Sequence, residues 1–140
     1  ILDVIEYIDI LSPSYPDEVN KIFELNTPLE MIKFGLSKGC KLVVVKCGED
    51  GAYIGDSNKI IYSKAITPKG LLDTTGAGDS FLGGFLYSYI KNMNIEDNMR
   101  YAISSAGLKI SGRGGIQSQP TKDEVEKYIN LVKVKKITYQ

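Results

Sequence analysis

Residues 41–46 read Lys-Leu-Val-Val-Val-Lys, a continuous β-branched run set between turn-forming neighbours. A strand that is apolar on both faces must be covered on both, which predicts a central position in a parallel sheet flanked by helices. The segments on either side fit that requirement. Ile1 to Tyr7 reads as the end of a helix and Ile8-Asp9-Ile10-Leu11 as a short strand. Ser12-Pro13-Ser14-Tyr15-Pro16 then interrupts the pattern, because proline does not continue a helix interior. Asp17 to Leu25 predicts a helix, and a second begins at Pro28, runs through Leu29, Ile32, Phe34 and Leu36, and stops at Gly39. Beyond the apolar run, Gly48-Glu49-Asp50-Gly51 is a turn. Ala52-Tyr53-Ile54 and Ile60-Ile61-Tyr62 read as strands joined by a hairpin turn at Gly55-Asp56-Ser57-Asn58. Helices are predicted from about Gly76 to Lys91 and from Ile95 to Ile110, followed by a glycine-rich loop from Ser111 to Pro120. Thr121-Lys122-Asp123-Glu124 is a capping box that opens a last helix through about Val132. The alternation of strands and helices predicts an α/β protein with a parallel, layered sheet, built as one domain over residues 1–140.

Composition removes several function classes. Lys plus Arg and Asp plus Glu each number 17, so there is no net basic field to attract nucleic acid or an anionic membrane. No apolar run is long enough to span a bilayer. With no histidine, imidazole metal sites and histidine-based triads are excluded. Cys40 and Cys47 flank the predicted buried strand at a spacing that matches neither a zinc site nor a disulfide framework, and are expected to be reduced thiols in a cytoplasmic protein. The chain starts without Met, in what reads as the end of a helix, and is expected to begin mid-protein.

The functional signal is concentrated in Leu72-Asp73-Thr74-Thr75-Gly76-Ala77-Gly78-Asp79-Ser80-Phe81. A loop ending in Gly-Ala-Gly runs directly into the apolar helix Phe81-Leu82-Gly83-Gly84-Phe85. The first N–H groups of a helix have no intrahelical acceptor and carry the positive end of its dipole. Small residues let a phosphate approach those amides, so the geometry suits an anion, above all one that gains charge during a reaction. Asp79 would repel such an anion if it were only an anchor, and makes better sense as a base that takes a proton from an attacking hydroxyl. A plain turn with a helix-favouring aspartate is the competing account of a bare Gly-x-Gly-Asp.

The longer segment closely resembles the C-terminal signature of the PfkB (ribokinase-like) carbohydrate kinases, which transfer the γ-phosphoryl group of ATP to a hydroxyl of a sugar, sugar phosphate or nucleoside. The resemblance implies a three-layer, Rossmann-like ribokinase fold, of which this chain is the C-terminal portion of the doubly covered sheet. It makes Gly76, Ala77, Gly78 and Asp79 the anion hole and Asp79 the catalytic base. Other segments follow in the same order. Pro13-Ser14-Tyr15-Pro16-Asp17 stands where the family has Pro-Asn-x-x-Glu, which organises Mg²⁺ through water. Ser14 takes the place of the Asn and Asp17 that of the Glu, with Glu18 beside it as a substitute; Ser14 and Asp17 also suit a helix start. Lys46, Gly48 and Gly51 fall on a strand–Gly-x-x-Gly segment that lies by the nucleotide, although a tight turn alone would also want those glycines. Asp73 and Thr75, with Gly112, Gly114 and Ser118 of the glycine-rich loop, are implied to hold a monovalent cation, usually K⁺, as hard oxygen ligands can. Ile103 lies on a small-residue helix that packs by the adenine, where close helix packing is the simpler explanation.

The resemblance extends over the whole chain but only over the nucleotide-binding half of a family member. The sugar-binding and lid part is absent, so the isolated chain is expected to be inactive or nearly so, with ATP, Mg²⁺ and a sugar-like or nucleoside acceptor as partners of the full-length protein. A homodimer through the missing lid is one of its options. Two further readings stand beside the kinase. A silent nucleotide-binding module of the same fold would have no need of Asp79. A dinucleotide-binding oxidoreductase would need Gly-x-Gly-x-x-Gly after its first strand, which does not occur.

Overall fold

The Leu42–Val45 run takes an interior place in its sheet, with a strand on each side, where both of its faces are buried. In the computed structural model, which describes residues 1–138, it is strand β2 (Leu42–Lys46), with Val43, Val44 and Val45 each fully buried. Its partner β1 (Ile10–Leu11) runs parallel, with Ile10 opposite Leu42 and Leu11 opposite Val43. Between them lie α1 (Asp17–Lys21) and α2 (Pro28–Ser37), the helical crossover that a parallel pair requires. Thr27 caps α2, its hydroxyl accepting from the Glu30 N–H at 3.1 Å, with Pro28 at the first helical position.

The expectation of a parallel sheet is corrected beyond that pair. The sheet is mixed, in the order β1-β2-β3-β4-β5. Strand β3 (Ala52–Gly55) runs antiparallel to β2, with Val44 opposite Ile54 and Lys46 opposite Ala52. The physical reason is length: Cys47 to Gly51 is a tight turn, too short for the crossover a parallel strand needs. Strand β4 (Ile60–Ser63) neighbours β3, and β5 (Lys135–Ile137) pairs antiparallel with β4. The sequence reading did not contain β5, because Lys-Lys-Ile carries no alternation and little apolar content.

The chain divides into two compact units, one made of residues 1–62 with the C-terminal segment from Lys135, the other of Ser63–Val134. In the first, Val43, Val45 and Ile60 share a core with Val19 of α1 and Met31 and Ile32 of α2. Gly35 lets α2 approach the sheet, since a Cβ there would stand 2.6 Å from a Val43 methyl. Helix α1 stops at Lys21, short of the expected Leu25, and the chain turns at Glu24 with φ +56°.

The second unit is built on the hairpin of α3 (Ala77–Ile90) and α4 (Ile95–Lys109). Asn94 caps α4, its side-chain oxygen accepting from the Asp97 N–H at 2.8 Å. Small residues bring the two helices together: a Cβ on Gly84 would lie 2.5 Å from the Tyr101 carbonyl oxygen, in backbone that cannot swing aside. The Ser80 hydroxyl lies 2.9 Å from that of Ser105, and the Asn98 amide donates to the Ser88 hydroxyl at 2.8 Å, so these four buried side chains satisfy one another in pairs. The final expected helix is divided into α5 (Lys122–Glu126) and a 3₁₀ turn at Ile129–Leu131. Among the described residues no helix is long and apolar enough to cross a membrane.

Adjacent glycines of α3 should therefore respond in opposite ways. Gly84→Ala drives a methyl into the α4 backbone and should lower stability by about 1–3 kcal/mol. Gly83, with nothing within 4 Å of its Cβ position, should gain about 0.5–1 kcal/mol on replacement by Ala. Urea unfolding of the two variants beside the parent checks both signs.

Candidate functional site

A glycine in the left-handed region starts the site. Gly76, the N-cap of α3, has φ +76° and ψ 8°, a conformation that side chains disfavour, and a Cβ there would also meet Gly115 at 3.4 Å. The turn it makes is closed by the Ala77 N–H donating to the Thr74 carbonyl at 3.1 Å. The helical ladder resumes with the Ser80 N–H donating to the Gly76 carbonyl at 3.0 Å. The amides of Gly78 and Asp79 lie between these bonds and have no acceptor among the described residues. Space above Gly78 is open, with nothing within 4 Å of its Cβ position. Two free N–H groups at a helix start, beneath open space, fit a phosphate oxygen.

Asp73 holds the loop in place. Its Oδ1 accepts from the Thr75 N–H at 2.9 Å, and its Oδ2 accepts from the Gly114 N–H at 3.0 Å, joining the start of α3 to the glycine-rich loop. The Thr75 hydrogen bonds, that from Gly114 and the nearby Lys109 cation bring its pKa from the ordinary 3.8 to about 2. The carbonyl of Gly114 accepts from the Ser118 hydroxyl at 2.9 Å, so two expected cation ligands are bonded to each other. Gly112 lies close to the same serine: a Cβ on it would be 2.5 Å from the Ser118 Cβ.

The Asp79 side chain is exposed and borders a groove of about 350 Å³. Gly83 and Tyr87 continue that wall along α3, and Tyr101 and Ser105 of α4 face it, with Lys122 at the edge. The Lys122 ammonium pairs with Glu126 at 3.0 Å, and the Tyr101 hydroxyl donates to the same carboxylate at 3.1 Å. Ile103 does not line this groove; it is buried, at 4% exposure. Tyr101 and Ser105 belong to the Tyr101–Gly107 segment that the resemblance sets by the adenine, but which of its residues face outward is decided only by the neighbouring helix. Lys109 was missed, although a cation among Gly107-Leu108-Lys109-Ile110, inside an apolar stretch, was a signal to be found.

The first unit holds the other expected residues. The segment after β1 is bound to the end of β2: the Tyr15 N–H donates to the Lys46 carbonyl at 2.7 Å, and the Lys46 N–H to the Pro13 carbonyl at 3.0 Å. Of the two acidic neighbours, Glu18 folds back along the chain to accept from the Ser14 N–H at 2.6 Å. Asp17 points to solvent and pairs with Lys21 at 3.4 Å. Gly48 and Gly51 both have positive φ, +57° and +97°, so the turn itself requires them. Among the described residues no three Asp, Glu, Cys or His side chains converge as a metal cage. Mg²⁺ that arrives on substrate phosphates does not need one. Cys40 and Cys47 are free and buried, and burial with the nearby Asp50 pushes the Cys47 thiol up to about 11, which makes it unreactive.

A glycine-opened helix start with two unpaired amides and an adjacent carboxylate is an arrangement that would suit a phosphate group. The family model of the pfkB family carbohydrate kinases matches residues 1–122, and the chain belongs to that family. It is 30% identical over 135 residues to an ATP-dependent 6-phosphofructokinase of Thermoanaerobacterium thermosaccharolyticum, an alignment that covers 96% of this chain and 41% of that protein. Among solved structures, a ribokinase II-type protein of E. coli in complex with ATP and Mg²⁺ superposes with a TM-score of 0.82 at 29% identity, over 92% of this chain and 41% of the other. Arabidopsis thaliana ribokinase complexed with ribose and ATP gives 0.80 at 30% identity, over 91% and 42%. The chain thus spans about two fifths of the length of the relatives it matches.

The Asp73 bonds set an acid limb for stability. Because the folded pKa lies below the unfolded one, its contribution is complete above about pH 4 and is lost as pH falls toward about 2. Asp73→Asn should be less stable than the parent at neutral pH, and the two should converge near pH 2. A carboxyl titration by ¹³C NMR that placed the folded midpoint near 4 would show that the two N–H bonds are not made.

Proposed function

We propose that this chain is the ATP-binding and catalytic part of an ATP-dependent phosphotransferase that acts on a hydroxyl of a sugar, sugar phosphate or nucleoside. The observation that carries the reading is the placement of Asp79 at the third helical residue, its side chain exposed on a groove, next to two unpaired amides. ATP bound with Mg²⁺ supplies the phosphoryl group. Asp79 takes the proton of the acceptor hydroxyl as that oxygen attacks, which a free carboxylate in an open groove is able to do. The N–H groups of Gly78 and Asp79, set by the left-handed turn at Gly76, donate to the oxygens on which negative charge grows. Their directions are fixed before substrate arrives, so no reorganisation is required at the moment of transfer. Asp73 acts through the loop: by holding the Thr75 and Gly114 amides it keeps the turn at one geometry.

Lys46, Gly48 and Gly51 are the first unit's candidates for nucleotide contact, and Glu18 or Asp17 its candidates for water-mediated contact to Mg²⁺. Phosphoryl transfer is mostly a matter of positioning two substrates and neutralising charge. A chain of two fifths the family length is proposed to lack the acceptor's contacts, so the isolated 140 residues should show little or no turnover.

The test is ADP release from Mg-ATP over a panel of sugars, sugar phosphates and nucleosides, using the protein that contains this sequence at full length. Turnover with one acceptor, reduced about 10²- to 10⁴-fold in kcat by Asp79→Asn, is the expected result. ATP binding without acceptor-dependent release would instead identify a silent nucleotide-binding module.

A further inference from the structure

Lys109 is fully buried, with 0% of its surface exposed, at the end of α4. A buried ammonium carries a large desolvation cost unless oxygens surround it. It donates to the backbone carbonyl of Asp73, at 3.4 Å. The Lys109 Cε is 3.6 Å from the Cβ position of Gly76, so the charge lies directly beneath the turn that presents the free amides. The Asp73 carboxylate, already engaged with the Thr75 and Gly114 amides, lies near enough to feel its charge. One cation therefore sits where the loop before α3 meets the loop after α4.

This is the position where the family resemblance implies a monovalent cation on oxygens of Asp73, Thr75, Gly112, Gly114 and Ser118. The residues present do not fit a free ion as well. The Asp73 carbonyl already faces the ammonium, and the Gly114 carbonyl and Ser118 hydroxyl are bonded to each other at 2.9 Å. A potassium ion placed among them would also stand against a fixed like charge in a poorly solvated site.

We propose that the Lys109 ammonium is the tethered monovalent cation of this loop, stiffening the Gly76 turn from beneath so that no soluble K⁺ is needed. Lys109 is a positioning residue, as it acts through the Asp73 carbonyl and the turn rather than on substrate. The proposal rests on the phosphotransferase reading for its purpose, but its geometry is tested apart from catalysis.

The experiment compares the full-length protein with Lys109→Ala and Lys109→Met in KCl and in choline chloride at equal ionic strength. Thermal unfolding and Mg-ATP affinity are both read. The parent should be indifferent to the exchange in both. In choline, Lys109→Ala should bind Mg-ATP about tenfold more weakly, and K⁺ should restore both its affinity and its Tm because the vacated space admits the ion. Lys109→Met, which fills that space with an uncharged chain, should lose affinity and stay unresponsive to K⁺. A K⁺-specific rise in the parent's Tm would overturn the proposal, as would unchanged affinity in both variants, or a loss in Lys109→Ala that K⁺ does not restore. Should neither variant fold, the parent's response to K⁺ still decides. Failure of the parent to bind Mg-ATP would count against the phosphotransferase reading alone, since the unfolding arm does not depend on it.

Discussion

The carboxylate of Asp73 connects two loops far apart in sequence, with one oxygen on the Thr75 N–H and the other on the Gly114 N–H. Hydrogen bonds to a charged acceptor are shorter and stronger than neutral ones. These two come from backbone, so what they fix is the chain path and not the rotamer of a side chain. The left-handed turn at Gly76, the entry angle of α3 and the exposure of the Gly78 and Asp79 amides all follow from that path. Without it, a glycine-rich stretch would have many conformations to occupy, and the one that leaves those amides free would be one among them. Lys109 contributes from beneath, and its charge is one reason the carboxylate stays ionised to low pH.

A site of this kind also needs a rigid support. The α3–α4 hairpin supplies it through close backbone approach at Gly84 and buried pairs at Ser80–Ser105 and Asn98–Ser88. Ser80 immediately follows Asp79 and is buried while Asp79 is exposed, so the hydroxyl contact with α4 anchors the turn that carries the carboxylate. Positional error of an ångström in a catalytic group can lower a rate a hundredfold, which gives such packing a functional meaning beyond stability.

In the first unit the polar segment after β1 is held just as firmly, by backbone bonds between Tyr15, Pro13 and Lys46. The two adjacent carboxylates differ in reach. Glu18 has the extra methylene to return to the Ser14 N–H, while Asp17 lies one turn below Lys21 and pairs with it at the surface. Such i,i+4 surface pairs contribute little energy.

Much of this was legible without coordinates. The β-branched run marked a strand buried on both faces, the proline at 28 marked a helix start, and Asp73 to Asp79 marked a glycine-opened start of the next helix. These are local properties: periodicity, capping chemistry and backbone freedom act within a few residues of chain. The sheet's direction was not local. A parallel arrangement was expected, yet the turn at Cys47–Gly51 is too short to permit it, and β5 has no pattern of its own and exists because β4 offers it an edge. Nor could the chain order show that Ile103 lies off the groove while Tyr101 and Ser105, on the same helix, line it. What the amino-acid order by itself determined is the chemistry of the Gly76–Asp79 turn and the elements around it. The tertiary structure alone decided that a buried lysine stands beneath that turn, because the contact joins residues 36 positions apart and depends on how two helices and two loops close together.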